Sequence, residues 1–260
     1  MSVQVKVHAP SGTIVLDRPA KRNALTRAVL KDLLQAFDDL HQQKSVRAVI
    51  LTGAGTAFCA GMDLDEMLAT SQLPVAESMQ QWHDDAVLYR DVIETMLRFP
   101  KPIIAAVNGP AIAGGGGLVL ASDMVVASEG ATFGLPEPRR GIVAGLVAPL
   151  LTFRVGGGWA AQLLLSARTI AATEAARRGL FHELVAPDMV WARANELAKE
   201  AALSAPEALQ LTKRMLNETI GEQLNVLLSA GAAVSATART TEAAAEGVKA
   251  FLEKREPKWP

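Results

Sequence analysis

The sequence has one cysteine, almost no net charge and no long hydrophobic run. Cys59 has no second cysteine with which to form an internal disulfide. The formal net charge of -1 gives no electrostatic reason to expect nucleic acid or an anionic membrane as a partner. The most apolar segment, GLVAPLLTFRV, is interrupted by Pro149 and Arg154, and it falls short of the ~18 apolar residues that a membrane span needs. The N-terminus alternates like a strand instead of resembling a secretory signal, so we expect a cytoplasmic protein.

The chain has 260 residues, of which 50% are hydrophobic and 20% charged, as in an ordinary globular protein. Short alternating segments at residues 3–9 and 12–19 predict a hairpin or two adjacent strands. Apolar residues at three- and four-residue intervals predict a helix at residues 23–43, with Thr26 as a possible N-cap. Three Val- and Ile-rich runs, at residues 46–55, 101–109 and 123–130, predict strands that are buried on both faces.

Helical patterns at residues 75–98 and 114–121 lie between these runs, so an α/β fold of repeated strand-strand-helix units is expected. After about residue 145 the sequence is almost wholly helical, and residues 181–186 form a short exception. We therefore predict a core over residues 1–195 that carries the active site, and a C-terminal helical region over residues 196–260.

Four consecutive glycines, residues 114–117, follow a predicted strand and begin a predicted helix. A dinucleotide-binding G-x-G-x-x-G motif would place its third small residue at Val119, and no Gly-Lys-Ser/Thr of a P-loop follows. A tight turn with close helix packing is one remaining interpretation.

A second turn of small residues supports a functional interpretation. The segment TAFCAGMDLDEM, residues 56–67, also follows a strand and turns through Ala60 and Gly61 into a short helix. If the two strands are neighbours, one backbone N–H from each turn can converge on one substrate oxygen. The helix that begins at the glycines adds its positive N-terminal dipole. The two turns therefore predict an oxyanion hole.

At this point a resemblance is evident. The segments FCAGMDL, KPIIAAVNGPAIAGGGG, LASD, FGLPEPRRGIV and EGVKAFLEKREPKW resemble the enoyl-CoA hydratase/isomerase, or crotonase, superfamily, in order and nearly end to end. The resemblance implies a crotonase-like spiral of strand-strand-helix units and a helical C-terminal region that forms a homotrimer or a dimer of trimers. It also implies an acyl-CoA thioester as substrate and no separate cofactor, because coenzyme A is part of the substrate.

The resemblance assigns the two oxyanion N–H groups to Met62 and Gly114. Lys21 and Arg22 correspond to the place of a basic residue against the CoA phosphates, although solvated loop charges are an equal alternative. Phe251 and Lys254 lie in the terminal helix that touches CoA in the same or a neighbouring subunit of relatives. Further substrate or CoA contacts are expected around the two turns, at Ala24, Ala60, Asp63, Leu64 and Gly115. For Asp63, capping of the following helix is the alternative.

Typical hydratases of this superfamily carry two glutamates twenty positions apart. Here the second is Glu137, in FGLPEP, and the position of the first is occupied by Gly117. Glu137 alone is then the predicted acid/base, with an ion pair to Arg139 or Arg140 as the alternative role. The same departure resembles methylglutaconyl-CoA-type hydratases, and it favours a lyase that adds water to, or removes it from, an enoyl-CoA thioester.

Other functions stay open at this stage. A delta-isomerase or a decarboxylase of the same superfamily would use the same hole, and Gly117 could instead mark a catalytically idle acyl-CoA-binding protein or scaffold. The remaining titratable residues are weaker candidates: Cys59 has no histidine at motif distance, His83 fits a solvated helix face, and the other histidines show no metal-ligand spacing. No metal site is expected.

Overall fold

A computed structural model describes residues 2–259, and within them the main sheet has six strands in the order β1, β2, β3, β4, β6 and β9. Their bounds are Val3–His8, Ser11–Leu16, Ala48–Gly53, Ile103–Val107, Met124–Ser128 and Glu183–Val185. β1 and β2 pair antiparallel, with Val5 opposite Ile14, so the predicted N-terminal hairpin is confirmed. The other neighbours pair in parallel.

A smaller sheet consists of β5 (Ala111–Ile112), β7 (Thr132–Gly134) and β8 (Thr169–Ala171). β5 and β7 are parallel, with Ile112 opposite Gly134. β5 leads directly into the glycine run, and β7 precedes Glu137 by two residues. This short pairing therefore brings two distant sequence motifs to the same place, and the sequence patterns did not predict it.

The helices connect and cover the sheets. They are α1 (Arg27–Gln42), α2 (Leu64–Ser71), α3 (Val75–Arg98), α4 (Gly114–Ala121), α5 (Val147–Val155), α6 (Gly157–Ser166), α7 (Ala172–Arg177), α8 (Val190–Ala202), α9 (Pro206–Arg214), α10 (Glu222–Ala238) and α11 (Glu242–Leu252). Short 3-10 helices cover Pro19–Lys21, Glu137–Arg140 and Pro187–Met189, and a π-helical turn covers Met215–Ile220. The predicted cap of α1 is confirmed, because the Thr26 hydroxyl accepts a hydrogen bond of 3.2 Å from the Val29 N–H.

The central strands are buried on both faces, as predicted. Side chains such as Ile50 and Ile104 pack on one face against α8, together with Val190 and Ala194. Their sequence neighbours, such as Leu51, face the larger core that α1, α3 and α4 cover. Continuous apolar runs are needed for strands in this position, which is why their sequences do not alternate.

The region after residue 145 is largely helical, as expected, and it packs on the core. α10, which no sequence pattern singled out, lies against α3 and α5. α9 is fixed by buried Lys213, whose Nζ donates a hydrogen bond of 2.7 Å to Asp123. The predicted boundary at residue 195 falls inside α8, and the division into two regions stays a prediction. No helix among residues 2–259 is long and apolar enough to cross a bilayer.

The parallel pairing of β3 and β4 places their carboxyl ends at one edge of the sheet, with Val49 aligned to Ile103. β3 is followed by the turn that enters α2, and β4 by β5 and the glycines of α4. The loops that follow neighbouring parallel strands meet outside this edge, where α/β proteins commonly bind ligands. Both turns singled out in the sequence therefore lie at the same edge of the sheet.

Candidate active site

A cavity of about 560 Å³ lies at this edge and contains most of the predicted site residues. Its lining is supplied by both turns, by the 3-10 helix at Glu137 and by α3, α10 and α11. The predicted residues among it are Lys21, Arg22, Ala24, Ala60, Met62, Asp63, Leu64, Gly114, Glu137 and Phe251. Residues on both sides of the predicted boundary at 195 therefore line one cavity.

The first turn is held by backbone hydrogen bonds on either side of Met62. The Ala60 N–H donates to the Arg22 carbonyl at 3.0 Å, and the Asp63 N–H donates to the Leu25 carbonyl at 2.9 Å. Gly61 between them has a φ of +88°, which glycine adopts without strain. The Met62 N–H has no acceptor among residues 2–259.

The second turn is fixed to the first. The Ile112 N–H donates to the Cys59 carbonyl at 2.9 Å, and the Ala113 N–H donates to the Gly134 carbonyl at 2.8 Å. Ala113 has a φ of +53°, a conformation that costs a residue with a side chain on the order of 1–3 kcal/mol. The kink directs the chain into α4, whose first residue is Gly114. The first N–H groups of a helix have no partner within it, so the Gly114 N–H is free to bind a ligand.

The two turns approach as closely as their backbones permit. A Cβ atom at Gly61 would lie 3.1 Å from the Gly114 nitrogen and 2.7 Å from the Ala113 Cβ. No acceptor is present for the Met62 or the Gly114 N–H within the described range 2–259. Two neighbouring free N–H groups that border one cavity can bind a negatively charged oxygen, and the N-terminus of α4 adds its dipole.

Glu137 begins a 3-10 helix, and its side chain is 6% exposed. Burial raises the pKa of this carboxyl to about 7, although a hydrogen bond from its own backbone N–H and the Arg140 guanidinium oppose the shift. Oε2 is shielded from solvent and has no hydrogen-bond partner within residues 2–259. The alternative role was an ion pair with Arg139 or Arg140. Among residues 2–259, no basic side chain forms an ion pair with the Glu137 carboxylate within 4.0 Å. A carboxyl in this state can both take and give a proton near neutral pH.

Gly117 faces Tyr89, the one tyrosine of the sequence. A Cβ at Gly117 would lie 2.0 Å from the Tyr89 hydroxyl oxygen and 3.1 Å from Cγ2 of Val147. The Tyr89 hydroxyl donates a hydrogen bond of 2.6 Å to the Gly114 carbonyl. The space beside Gly117 is therefore filled by a phenol from α3, and a glutamate at this position would collide with it. No motif in the sequence pointed to Tyr89.

The neighbouring glycines serve packing. A Cβ at Gly115 would meet the Cys59 carbonyl oxygen at 2.4 Å, and one at Gly116 would meet the Phe133 ring at 3.0 Å. Gly115 is not part of the cavity lining, so its position does not support the expected contact with substrate. It instead allows α4 to lie directly on the first turn.

Cys59 is buried, and its thiol donates to the Asn23 carbonyl at 3.2 Å. Burial raises the pKa of the thiol to about 12, so Cys59 is protonated at neutral pH and unsuited to nucleophilic catalysis. Residues 2–259 contain no cluster of three or more His, Cys, Asp or Glu side chains that could hold a metal ion.

The basic residues at the cavity mouth are exposed. Lys21 pairs with Asp65 at 2.8 Å, and Arg22 lies beside it. The Asp63 carboxylate already has partners within the protein. Its Oδ1 caps α2 by accepting a hydrogen bond of 3.1 Å from the Asp65 N–H, and its Oδ2 accepts one of 2.9 Å from the Arg18 guanidinium. Capping of α2 and the ion pair with Arg18 thus account for the two carboxylate oxygens of Asp63.

The C-terminal helix α11 borders the same mouth. The Phe251 ring lies under the Arg140 guanidinium, 4.2 Å from its centroid. Lys254 follows α11 and is outside the cavity lining of the single chain, so a CoA contact for Lys254 stays a prediction. His83 is exposed and also lies outside the lining.

Replacing Glu137 with Gln should stabilise the protein at alkaline pH. The carboxyl ionises near pH 4.5 in the unfolded chain but near pH 7 in the folded protein. Its favourable contribution is therefore complete below about pH 4.5 and is lost as the pH rises through 7. We expect Glu137→Gln to raise Tm at pH 8.5, where it should increase the free energy of unfolding by an amount on the order of 2–3 kcal/mol. At pH 4.5 the substitution should have little effect. Calorimetry at both pH values measures this, and a Tm change that is independent of pH contradicts it.

Tyr89 and Gly117 should be coupled energetically. Gly117→Ala should destabilise the wild type by about 1–3 kcal/mol, because the new methyl displaces the Tyr89 hydroxyl. In a Tyr89→Phe background the same change should cost less, since the clashing oxygen is gone. Urea unfolding of the four variants at one protein concentration gives the coupling energy. Gly158→Ala, with nothing within 4 Å, is the control, and additive effects of the two changes contradict the contact.

Comparison with known proteins agrees with this geometry. The family model of enoyl-CoA hydratase/isomerase matches residues 10–260. The chain is 39% identical to a Thermus thermophilus protein that carries the provisional name enoyl-CoA hydratase, over 95% of this chain and 96% of that one. It is 33% identical to the short-chain-enoyl-CoA hydratase of Clostridium acetobutylicum, over 93% and 91% of the two chains.

Among solved structures, an enoyl-CoA hydratase/isomerase from Xanthobacter autotrophicus Py2 superimposes with a TM-score of 0.89 at 29% identity, covering 100% of this chain and 99% of that one. The α/β architecture with a helical C-terminal part is therefore the crotonase fold, as the sequence resemblance implied. The family model, the relatives and the fold together show that the chain belongs to the enoyl-CoA hydratase/isomerase family, as an enoyl-CoA hydratase-like enzyme.

Proposed function

We propose that the protein adds water across the double bond of a 2-enoyl-CoA thioester, or removes it from the 3-hydroxyacyl product, with Glu137 as the single acid/base. One observation carries the proposal: a buried carboxyl with a pKa of about 7 and one oxygen unpaired among residues 2–259 lies in the same cavity as two backbone N–H groups that have no acceptor there. A buried polar group without a hydrogen-bond partner is costly. The thioester oxygen provides a partner for the two N–H groups, and the attacking water provides one for the carboxyl.

In this mechanism the N–H groups of Met62 and Gly114 bind the thioester oxygen. The Glu137 carboxylate takes a proton from water while the water oxygen bonds to C3 of the enoyl group. The electron pair of the double bond moves toward the thioester oxygen, which becomes an enolate. Glu137 then returns the same proton to C2, so water is added to one face and the carboxylate is regenerated.

The enolate is the species that the site stabilises. Its charge develops on the oxygen held by the two N–H groups, and loss of one such donor typically costs about 3 kcal/mol of transition-state stabilisation. Tyr89 supports the hole by binding the carbonyl of the residue that supplies one donor, Gly114. With Gly117 and Tyr89 in place of a second carboxylate, both proton transfers are assigned to Glu137.

For the CoA part of the substrate we propose the exposed mouth of the cavity. Lys21 and Arg22 supply positive charge there for the phosphates, and Phe251 with Arg140 supplies a partly apolar wall. Lys254 is retained as a contact to CoA of the same or a neighbouring subunit. No separate cofactor or metal is required by the mechanism.

We also propose a homotrimer or a dimer of trimers in the cytoplasm. Large apolar side chains of the C-terminal helical region are exposed in the single chain, among them Leu203 at 90%, Val226 at 72% and Leu211 at 63%. A surface of this kind is typical of an interface between subunits.

The reaction type follows from mass and absorbance together. The purified protein is incubated with crotonyl-CoA, with a 3-enoyl-CoA and with 3-methylglutaconyl-CoA. Hydration predicts loss of the conjugated enoyl absorbance with gain of one water. Conjugation without a mass change would instead indicate an isomerase, and loss of carbon dioxide a decarboxylase. Binding of acyl-CoA without any turnover would indicate an idle homologue.

Glu137→Gln should lower kcat of hydration by about 100-fold or more, because the amide cannot accept the proton of water. For the wild type, kcat/KM should rise with pH through an apparent pKa of about 7 and then level off, since the ionised carboxyl starts the reaction in either direction. Glu129→Gln, at an exposed glutamate, is the matched control. Full turnover in Glu137→Gln would remove Glu137 from the mechanism.

Gly61→Ala should lower kcat far more than it lowers affinity for CoA. The new Cβ would press on Ala113 and the Gly114 nitrogen, and the φ of +88° adds strain. Separation of the two turns should reduce kcat by about 100-fold, the effect of losing one donor. Gly158→Ala is the control, and circular dichroism verifies folding. An unchanged kcat in folded Gly61→Ala would show that the close approach of the turns is dispensable.

A further inference from the structure

Arg239 follows the last residue of α10 and lines the cavity together with Ser235, one turn earlier. The same cavity is lined by Ala86 and Tyr89 of α3 and by Leu146 and Val147 at the start of α5, and α10 packs against both helices. Ser235 and these apolar residues are buried and Arg239 is half-buried, whereas Lys21 and Arg22 at the mouth are exposed. The guanidinium of Arg239 is thus a cationic group in the part of the cavity that is otherwise mainly apolar.

The Arg239 guanidinium has no hydrogen-bond or ion-pair partner between residues 2 and 259. Its side chain donates no hydrogen bond within residues 2–259, and Nη1 is shielded from solvent. Burial lowers its pKa, and the nearby Asp85 carboxylate only partly opposes that effect. An arginine stays charged in proteins, so a shielded and unpaired guanidinium is a costly feature that a ligand can relieve.

The nearest acidic group is already occupied. Oδ1 of Asp85 accepts from Nε of Arg27 at 2.6 Å and from Gln81 at 2.9 Å, and Oδ2 accepts from Nη2 of Arg27 at 2.9 Å. This bidentate pair neutralises Arg27, and the described part of the chain supplies no ion-pair partner for Arg239. Arg239 therefore brings a positive charge without an ion-pair partner among residues 2–259 to the apolar part of the cavity.

We propose that Arg239 binds a carboxylate at the far end of the acyl chain, so that the preferred substrates are CoA thioesters of dicarboxylic acids. The inference rests on the proposed function, in which the thioester lies at Met62 and Gly114. The planar guanidinium can bind a carboxylate through two parallel hydrogen bonds, and the intervening methylene groups lie against Ala86, Leu146 and Val147.

A second arginine at the cavity, Arg140, is less suited to this role. It also has a shielded nitrogen without a partner in the described residues, but it lies beside Glu137 and Arg22 and stacks on Phe251. Its position associates it with the acid/base group and with the mouth. The charges that affect the pKa of Arg239 are instead those of Asp85 and Arg27, and not that of Glu137.

Binding of unreactive ligands tests the proposal separately from catalysis. The probes are two pairs of saturated thioesters with matched chain length, glutaryl-CoA with pentanoyl-CoA and adipyl-CoA with hexanoyl-CoA, and Kd is measured by titration calorimetry. In at least one pair the wild type should bind the dicarboxylic member about 10- to 100-fold more tightly, the usual value of a charge-assisted hydrogen bond. Equal affinities in both pairs would overturn the proposal.

Variants of Arg239 identify the group responsible. Arg239→Gln should abolish the preference while leaving pentanoyl- and hexanoyl-CoA binding unchanged, and Arg239→Lys should retain part of it. Arg178→Gln is the matched control, since Arg178 also has a shielded nitrogen without a partner among residues 2–259 but stacks on Trp159 outside the cavity. An equal loss of affinity for both members of a pair, or a change of oligomeric state instead of a change in preference, would contradict the assignment.

Turnover separates this inference from the proposed function. With 2,3-dehydroadipyl-CoA and hex-2-enoyl-CoA as substrates, Arg239→Gln should lower kcat/KM for the first by about 10-fold or more and leave the second unchanged. If the wild type hydrates neither thioester but retains its preference for diacids in binding, the proposed hydration fails and the assignment of Arg239 stands. If both are hydrated without any preference, only the assignment of Arg239 fails.

Discussion

The close approach of two strand-to-helix turns is the constraint on which the rest of the site depends. Gly61 lies so near Ala113 and Gly114 that no side chain fits between the turns. The hydrogen bond from Ile112 to the Cys59 carbonyl fixes this approach, and the missing Cβ at Gly115 allows α4 to lie on the same carbonyl. The parallel pairing of β3 and β4 makes the contact possible, because both turns leave the sheet at one edge.

Around that contact the structure leaves several polar groups without partners in the described part of the chain. They are the N–H groups of Met62 and Gly114, one oxygen of Glu137 and one nitrogen of Arg239. Folded proteins rarely leave buried polar groups unpaired, so their concentration in one cavity indicates a binding site. Their chemical preferences differ: the two N–H groups suit an anionic oxygen, the Glu137 carboxyl suits a transferable proton, and the Arg239 guanidinium suits a carboxylate.

Gly117, at the position where the family resemblance led us to expect a glutamate, has a packing explanation. The sequence showed Gly117 as a missing carboxylate, but the structure shows that α3 fills the vacated volume with Tyr89. The phenol donates a hydrogen bond to the carbonyl of Gly114, at the start of α4. This substitution couples a helix with no recognisable motif to the glycine turn.

The sequence by itself determined the hairpin, the capped helix α1, the buried parallel strands and the two turns, because these depend on local periodicity, small residues and short motifs. It also identified Glu137, Met62 and Gly114 as candidates through the family resemblance. Tyr89 and Arg239 could not be identified in this way, because many residues of the chain separate each of them from the two turns. Only the packing of α3 and α10 around the turns brings them to the cavity, since burial, an unpaired charge and a filled volume are properties of the folded interior.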